Sequence, residues 1–255
     1  MERVIFDRMA DFDQEHWWYV ARRKILAEVI GRIVAPPAQS RVLEIGCGTG
    51  HNLAMLQQFG QVDACELDSE ARRLASIRLG RPVHEARLPD LSAFEPGSYD
   101  VIALLDVLEH VEDDAAALST IRQLLKPGGS LILTVPANKW MWSGHDVAHH
   151  HHRRYARADL QRLASRCGFE SRLMSHFNSL LFPLIAGVRL FNKLAHRHEA
   201  DDAMPSPVVN QMLEKIFAFE ANLIGRVDLP VGVSLLAVLR AAPGKDEAPL
   251  APASR

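Results

Sequence analysis

Three glycines and two carboxylates are the residues of this 255-residue chain best suited to grip a nucleotide-like ligand. Gly46, Gly48 and Gly50 follow the apolar run Val42, Leu43 and Ile45, and a helix-like stretch from Asn52 to Leu56 comes next. Strand, glycine turn and helix in that order bring bare backbone up to a ligand. Glu66 stands sixteen residues beyond Gly50, after the run Val62-Asp63-Ala64-Cys65, where a carboxylate can accept both hydroxyls of a ribose. The dinucleotide fingerprint needs a third glycine where this chain has His51. Glu44, just before the turn, is poor company for a pyrophosphate and good company for a cation. An NAD(P)-dependent oxidoreductase is therefore the second reading of the loop, and a purely structural turn the third.

The elements that must carry these residues follow from breakers and periodicity. Residues 14–34 read as a helix ended by Pro36-Pro37, and 41–45 as the first strand. A helix at 51–59, a strand at 61–66 and a helix at 69–79 come next, the last closed by Gly80. Residues 83–86 look like a short third strand, and 100–105, apolar throughout, a buried fourth. A helix at 113–125 stops at Lys126-Pro127-Gly128-Gly129 before a fifth strand at 130–135. A helix at 157–167 precedes strands at 169–176 and 233–239. Alternating strands and helices imply an α/β, doubly wound, mainly parallel seven-stranded sheet. Before the last strand, residues 178–228 read as a helical insertion of two amphipathic helices near 179–197 and 207–226. The expected organisation is a helix and ligand-binding core over 1–177, the insertion at 178–228, a closing strand within 229–242 and a disordered Ala/Pro-rich tail at 243–255.

The segment Val42-Leu43-Glu44-Ile45-Gly46-Cys47-Gly48-Thr49-Gly50 closely resembles the first motif of class I S-adenosyl-L-methionine (SAM) dependent methyltransferases. Further segments resemble that family in its order. They are Glu66-Leu67-Asp68, the stretch from Leu88-Pro89 to Tyr99-Asp100-Val101-Ile102, Asp106-Val107-Leu108-Glu109-His110-Val111, and Leu124-Leu125-Lys126-Pro127-Gly128-Gly129. The resemblance runs from about residue 20 to 177 and resumes at 231–240. It implies a Rossmann-like methyltransferase fold and SAM as cofactor, bordered by Glu44, Gly46, Cys47, Gly48 and Gly50. Glu66 would take the ribose, Leu67 would wall the adenine, and Arg87 and Leu88 would lie toward the adenine edge, where the family's usual aspartate is not evident. Asp106 is expected at the cofactor, its alternative being a helix N-cap.

The motif ending Leu108-Glu109-His110-Val111 resembles the variant found in many quinone and natural-product O-methyltransferases. Transfer to an oxygen acid of high pKa needs a general base, and His110 is one candidate, a helix-capping histidine being the alternative. The segments His16-Trp17-Trp18-Tyr19, His145-Asp146 and His151-x-Arg153-Arg154-Tyr155 resemble a bacterial subgroup, which makes His151 and then His145 further candidates. Trp17, Trp18 and Tyr19 are expected to lid the site or stack on an acceptor, or else to pack the first helix. Arg154 and Tyr155 are expected on the substrate side, with an arginine fork suited to an acidic group. No metal is expected at the run His149–His152, because Arg153 and Arg154 beside it repel a divalent cation.

A net charge of −2 gives no pull toward nucleic acid. Three cysteines without metal-ligand spacing argue for a reducing, cytoplasmic setting. The apolar run around Leu180–Val188 suits cover for a hydrophobic acceptor or a homodimer contact better than a membrane surface. The expected function is methyl transfer to a small molecule, most simply at a hydroxyl oxygen. A SAM-binding partner protein without catalysis is the rival of another class.

Overall fold

The computed structural model describes residues 12–194 and 204–242. Six strands form one sheet: β1 (Ser40–Ile45), β2 (Gly60–Cys65), β3 (Tyr99–Leu105), β4 (Leu125–Pro136), β5 (Phe169–Phe177) and β6 (Ser234–Ala241), in the spatial order β2-β1-β3-β4-β6-β5. β2, β1, β3 and β4 run parallel, and β6 lies antiparallel between β4 and β5. The α/β, doubly wound class is as expected, with six strands rather than seven among the described residues. The difference lies at 83–86, where pairing shrinks to one bridge: His84 N donates to Ala64 O at 2.9 Å and Glu66 N to His84 O at 3.0 Å. Arg81 and Pro82 just before, and a turn just after, leave too few residues to extend that ladder.

The sheet buries both faces. On one face lie α1 (Trp17–Val29), α2 (Leu53–Leu56) and α3 (Ser69–Leu79), with Ile25, Leu53, Ala75 and Phe217 in one apolar cluster. On the other lie α4 (Asp114–Leu124) and, beyond the short α5 (Gly144–Ala148), α6 (Arg157–Arg166), with Leu118, Ile121, Leu160 and Leu163 in the second cluster. The expected insertion supplies α7 (Phe182–Leu194) and α8 (Pro207–Phe219). α8 docks on α1: Asn210 Oδ1 accepts from Trp17 N at 2.9 Å, and Phe217 stacks on Phe177 with centroids 5.8 Å apart. Glu220 holds the start of the insertion from inside, its buried Oε1 accepting from Ser179 N and Leu180 N at 2.7 and 2.8 Å. Residues 243–255, expected as a disordered tail, lie outside the described residues.

Register decides which side chains meet. Ile45 pairs with Cys65 on one side and with Leu104 on the other, so the residues just beyond these strands emerge together. Those residues are Gly46, Glu66 and Asp106, and they sit where the strand order reverses, the place where doubly wound sheets bind ligands.

Candidate active site

A cleft of ≈ 1630 Å³ opens at these strand ends. Its floor is the glycine loop, where Gly46 and Gly48 take left-handed φ of 69° and 54°. A Cβ on Gly46 would meet Val107 Cγ2 at 2.7 Å, whereas one on Gly48 would meet nothing within 4 Å. Gly48 thus leaves open backbone facing the cleft. Glu66 is locked beside it: its Oε2 accepts from Gly48 N at 2.8 Å and its Oε1 from Asp68 N at 2.9 Å. Asp68 is itself fixed as the N-cap of α3, accepting from Glu70 N and Ala71 N. A carboxylate has about four lone-pair sites, so Glu66 keeps acceptor capacity for a ligand.

Glu44 lies behind this floor rather than on the cleft wall, with 1% exposure. Its Oε1 accepts from Asn52 Nδ2 at 2.8 Å and its Oε2 has no hydrogen-bond partner. Burial pushes its carboxyl up to about 7, partly offset by Asn52 and Arg22. An orphaned buried oxygen beneath a glycine cradle fits a ligand carrying an ammonium group. Together with the open backbone of Gly48 and the spare acceptor sites of Glu66, it makes this end of the cleft suited to SAM.

Asp106 follows β3 in a left-handed conformation, φ 58°, which costs energy for a residue with a Cβ and is least unfavourable for Asp and Asn. Its carboxylate does not cap the following 3-10 turn, Leu108–His110. It pairs instead with the buried Arg22 of α1, Oδ2 to Nη2 at 2.6 Å, and the same guanidinium group donates to Thr134 Oγ1 at 2.9 Å.

The other end of the cleft is built from two segments stapled together. His152 N donates to Glu109 O at 2.8 Å, and His151 N to Asp146 O at 2.9 Å. Asp146 is buried and organises the rest. Its Oδ1 lies 2.9 Å from His151 Nδ1, and its two oxygens take Nε and Nη2 of Arg154 at 2.7 and 3.0 Å. Burial alone would raise the Asp146 carboxyl, but His151 and Arg154 outweigh it and hold the group far below the usual range. His151 Nε2 is left pointing toward Glu109 Oε1, 4.0 Å away, and the His110 ring stands edge-on to the His151 ring with centroids 4.7 Å apart. Burial and the neighbouring His151 and His149 pull His110 down to about 4. Burial, with Asp106 nearby, pushes Glu109 well above the carboxylate range.

Walls complete the cleft. Trp17, Trp18 and Tyr19 line it from α1, Leu67, Arg87 and Leu88 from the β2–β3 region, and Leu181, Leu184, Ile185, Val188 and Arg189 from the insertion. Most of the expected residues are therefore brought together. The departures have simple causes. Cys47 is buried in the core and does not line the cleft. Gly50 serves packing, since a Cβ there would lie 2.7 Å from Leu53 Cδ1 and 3.0 Å from Ala75 Cα. Tyr155 faces α4 instead of the cleft, its hydroxyl donating to Asp114 Oδ2 at 2.9 Å. Arg154 reaches the cleft, but Asp146 and the Ala137 carbonyl take its donors, so it braces the site rather than offering a free fork. His145 lies on α5 and its side chain falls outside the described residues.

Arg22, Asn52, Glu109 and Asp146 are the site residues that sequence reasoning missed. Glu109 and Asp146 stood inside quoted segments and Asn52 opened the helix-like stretch, but none of the four was given a role at the site. His51, which took the place of a dinucleotide glycine, lines the cleft beside Tyr19 with ring centroids 5.3 Å apart. Burial, with Arg22, Arg23 and Arg78 around it, keeps it well below the usual histidine range.

Known proteins fit this geometry. A family model described as a methyltransferase domain matches residues 15–173. The ubiquinone biosynthesis O-methyltransferase of Xanthomonas euvesicatoria pv. vesicatoria is 39% identical over 103 residues, 38% of this chain and 43% of that protein. The chain thus spans less than half the length of this curated relative in the matched region. A chain from the complex between the Haloferax volcanii Trm112 methyltransferase activator and a methyltransferase superposes with a TM-score of 0.61 at 17% identity, covering 94% of this chain and 96% of that one. A SAM dependent methyltransferase from Archaeoglobus fulgidus does so with a TM-score of 0.56 at 14% identity, over 86% and 94% of the two chains. These two establish the fold alone. With the family match extending over the glycine loop, the Glu66 turn and the Glu109–His110 segment, this chain belongs to the methyltransferase domain family, the class I enzymes that use S-adenosyl-L-methionine.

Proposed function

We propose that this protein methylates a hydroxyl oxygen of a small, largely apolar acceptor. When bound, SAM supplies a methyl group already activated on a sulfonium sulfur, so the protein's task is alignment and exclusion of water. Gly46 and Gly48 admit the cofactor's backbone-facing side, and Glu66 takes the ribose hydroxyls. Leu67 and Leu88 wall the base, with Arg87 at its edge. Glu44 and Asp106 place negative charge beneath and beside the cationic amino end. Trp17, Trp18 and Tyr19 cover the cleft from α1, and α7 offers the acceptor an apolar wall at Leu184, Ile185 and Val188.

One observation carries this reading. A single cleft is lined by Gly46, Gly48 and Glu66, by Glu109, His110 and His151, and by the apolar residues Leu184, Ile185 and Val188 of α7. A hydroxyl placed at the histidine end meets groups able to take its proton or offset its charge. The name of the Xanthomonas relative supports oxygen as the acceptor atom. Incubation with methyl-labelled SAM and a panel of phenols, sugars, quinones and lipid-linked precursors tests the proposal. Label transferred to an apolar phenol or quinol is the expected result. Binding of S-adenosylhomocysteine without transfer to any acceptor favours the non-catalytic partner, and binding of NADH alone favours the oxidoreductase.

A further inference from the structure

β4 and β5 are each antiparallel to β6, so β5 ends on the same side of the sheet as β1, β3 and β4. Asn178 is the residue that follows it, and it lines the cleft from the edge of the sheet farthest from β2. Its side chain is 1% exposed, and its Oδ1 has no hydrogen-bond partner among the described residues. Leaving a buried amide oxygen unmet is costly, so such an atom marks a place for a donor.

The main chain at this point is satisfied and fixed. Glu220 accepts from the N–H groups of Asn178, Ser179 and Leu180, and Asn178 O accepts from Val233 N at 3.4 Å. Asn178 holds a left-handed φ of 55°, which glycine would hold at no steric cost. What asparagine adds over glycine here is its amide, the one part left unmet.

The surroundings narrow the donor. Leu181 and Val233, its neighbours in the cleft lining, favour a neutral group over a charged one. A hydroxyl both donates and accepts, as the amide does. β4 and β6 stand between β3 and β5, so the ends of those two strands lie about 14 Å apart at the usual strand spacing. One end of a small acceptor cannot serve both places.

We infer that Asn178 binds a neutral hydroxyl of the acceptor, set apart by an apolar spacer from the hydroxyl that is methylated. The acceptor class is thus an apolar alcohol or phenol carrying a second, remote hydroxyl. Which hydroxyl reacts rests on the methyl-transfer reading above; the hydrogen bond to Asn178 does not.

Two probes separate the remote hydroxyl from the spacer: para-(ω-hydroxyhexyl)phenol and para-hexylphenol. Their affinities for the full chain and for Asn178→Gly, which keeps the left-handed backbone, are measured by calorimetry, with the fold of the variant checked by circular dichroism. The ratio of the two affinities cancels what the variant does to the binding of the spacer. It should fall about tenfold from wild type to variant. A second measurement needs no variant: in protein made with isotope-labelled asparagine, the Asn178 side-chain amide resonance should shift with the hydroxyhexylphenol and stay nearly in place with the hexylphenol. An unchanged ratio in the folded variant, no binding of either phenol by the wild type, or an amide resonance that responds alike to both would each overturn the assignment. Transfer of labelled methyl from SAM to the two phenols is followed alongside. Binding with the expected ratio but without transfer would count against the methyl-transfer reading and not against Asn178.

Discussion

Arg22 Nη2 lies 2.6 Å from Asp106 Oδ2, joining the first helix to the residue that follows β3 in the lining of the cleft. The guanidinium also packs 4.9 Å from the Trp18 ring centroid and donates to Thr134, so one side chain ties α1, Asp106 and β4 together. Replacing Arg22 by alanine strands the carboxylate and the buried Thr134 hydroxyl. The expected loss is about 3–5 kcal/mol of unfolding free energy, read by urea denaturation. A change below about 1 kcal/mol would mean that the pair does not tie the helix to the sheet.

Gly48 and Gly50 separate ligand binding from packing within one loop. Gly48→Ala puts a methyl group into open cleft space and Gly50→Ala puts one against the Ala75 backbone. Both must hold a left-handed φ, at a cost of about 1–2 kcal/mol. Gly48→Ala should therefore lower S-adenosylhomocysteine affinity by about tenfold or more with a modest drop in Tm. Gly50→Ala should lose the larger share of stability, because overpacking adds about 1–3 kcal/mol to the strain. Calorimetry and thermal unfolding on both variants check the contrast.

Glu44 gives ligand binding a pH dependence. Its folded-state pKa is raised to about 7, so the buried group is protonated where an exposed glutamate is ionised. Its contribution to stability is complete below its ordinary value and is lost as pH rises through about 7. A ligand ammonium needs the ionised form, so the sign for binding is opposite. S-adenosylhomocysteine should bind roughly eightfold more weakly at pH 6 than at pH 7.5, with proton release on binding at the lower pH. Glu44→Gln should flatten that profile.

Phe217 tests whether the insertion is part of the fold. It is fully buried between Trp17 and Phe177, with ring centroids at 5.9 and 5.8 Å. Phe217→Ala should cost about 3–5 kcal/mol in a single cooperative transition. Unfolding of 178–228 ahead of the sheet would instead make the insertion an independent unit.

The fold was legible because each strand of the parallel core is an apolar run ended by glycine, proline or a carboxylate, and each helix of the core has a stop. Val83–Ala86 misled because four residues of strand-like composition do not make a ladder when only His84 reaches its neighbour. At the site, Gly46, Gly48 and Glu66 could be placed from spacing, since they follow strand ends directly. Tyr155 could not: the same alternation that puts Arg154 at the cleft turns its neighbour to α4. The roles of Asp146 and Arg22 could not be read for another reason. Their roles come from partners eight and eighty-four positions away in sequence, and no local pattern encodes such a pairing.

The central claim is that the backbone at Gly46–Gly48 and the Glu66 carboxylate together grip the adenosyl part of the cofactor. Calorimetric titration of S-adenosylhomocysteine into wild type and Glu66→Gln tests it most directly, the folded state of the variant being checked by circular dichroism. Saturable binding by the wild type, weakened about tenfold to a hundredfold by the loss of charge-assisted hydrogen bonds at position 66, is the predicted result. Equal affinities for the two folded proteins, or no binding by the wild type, would contradict it.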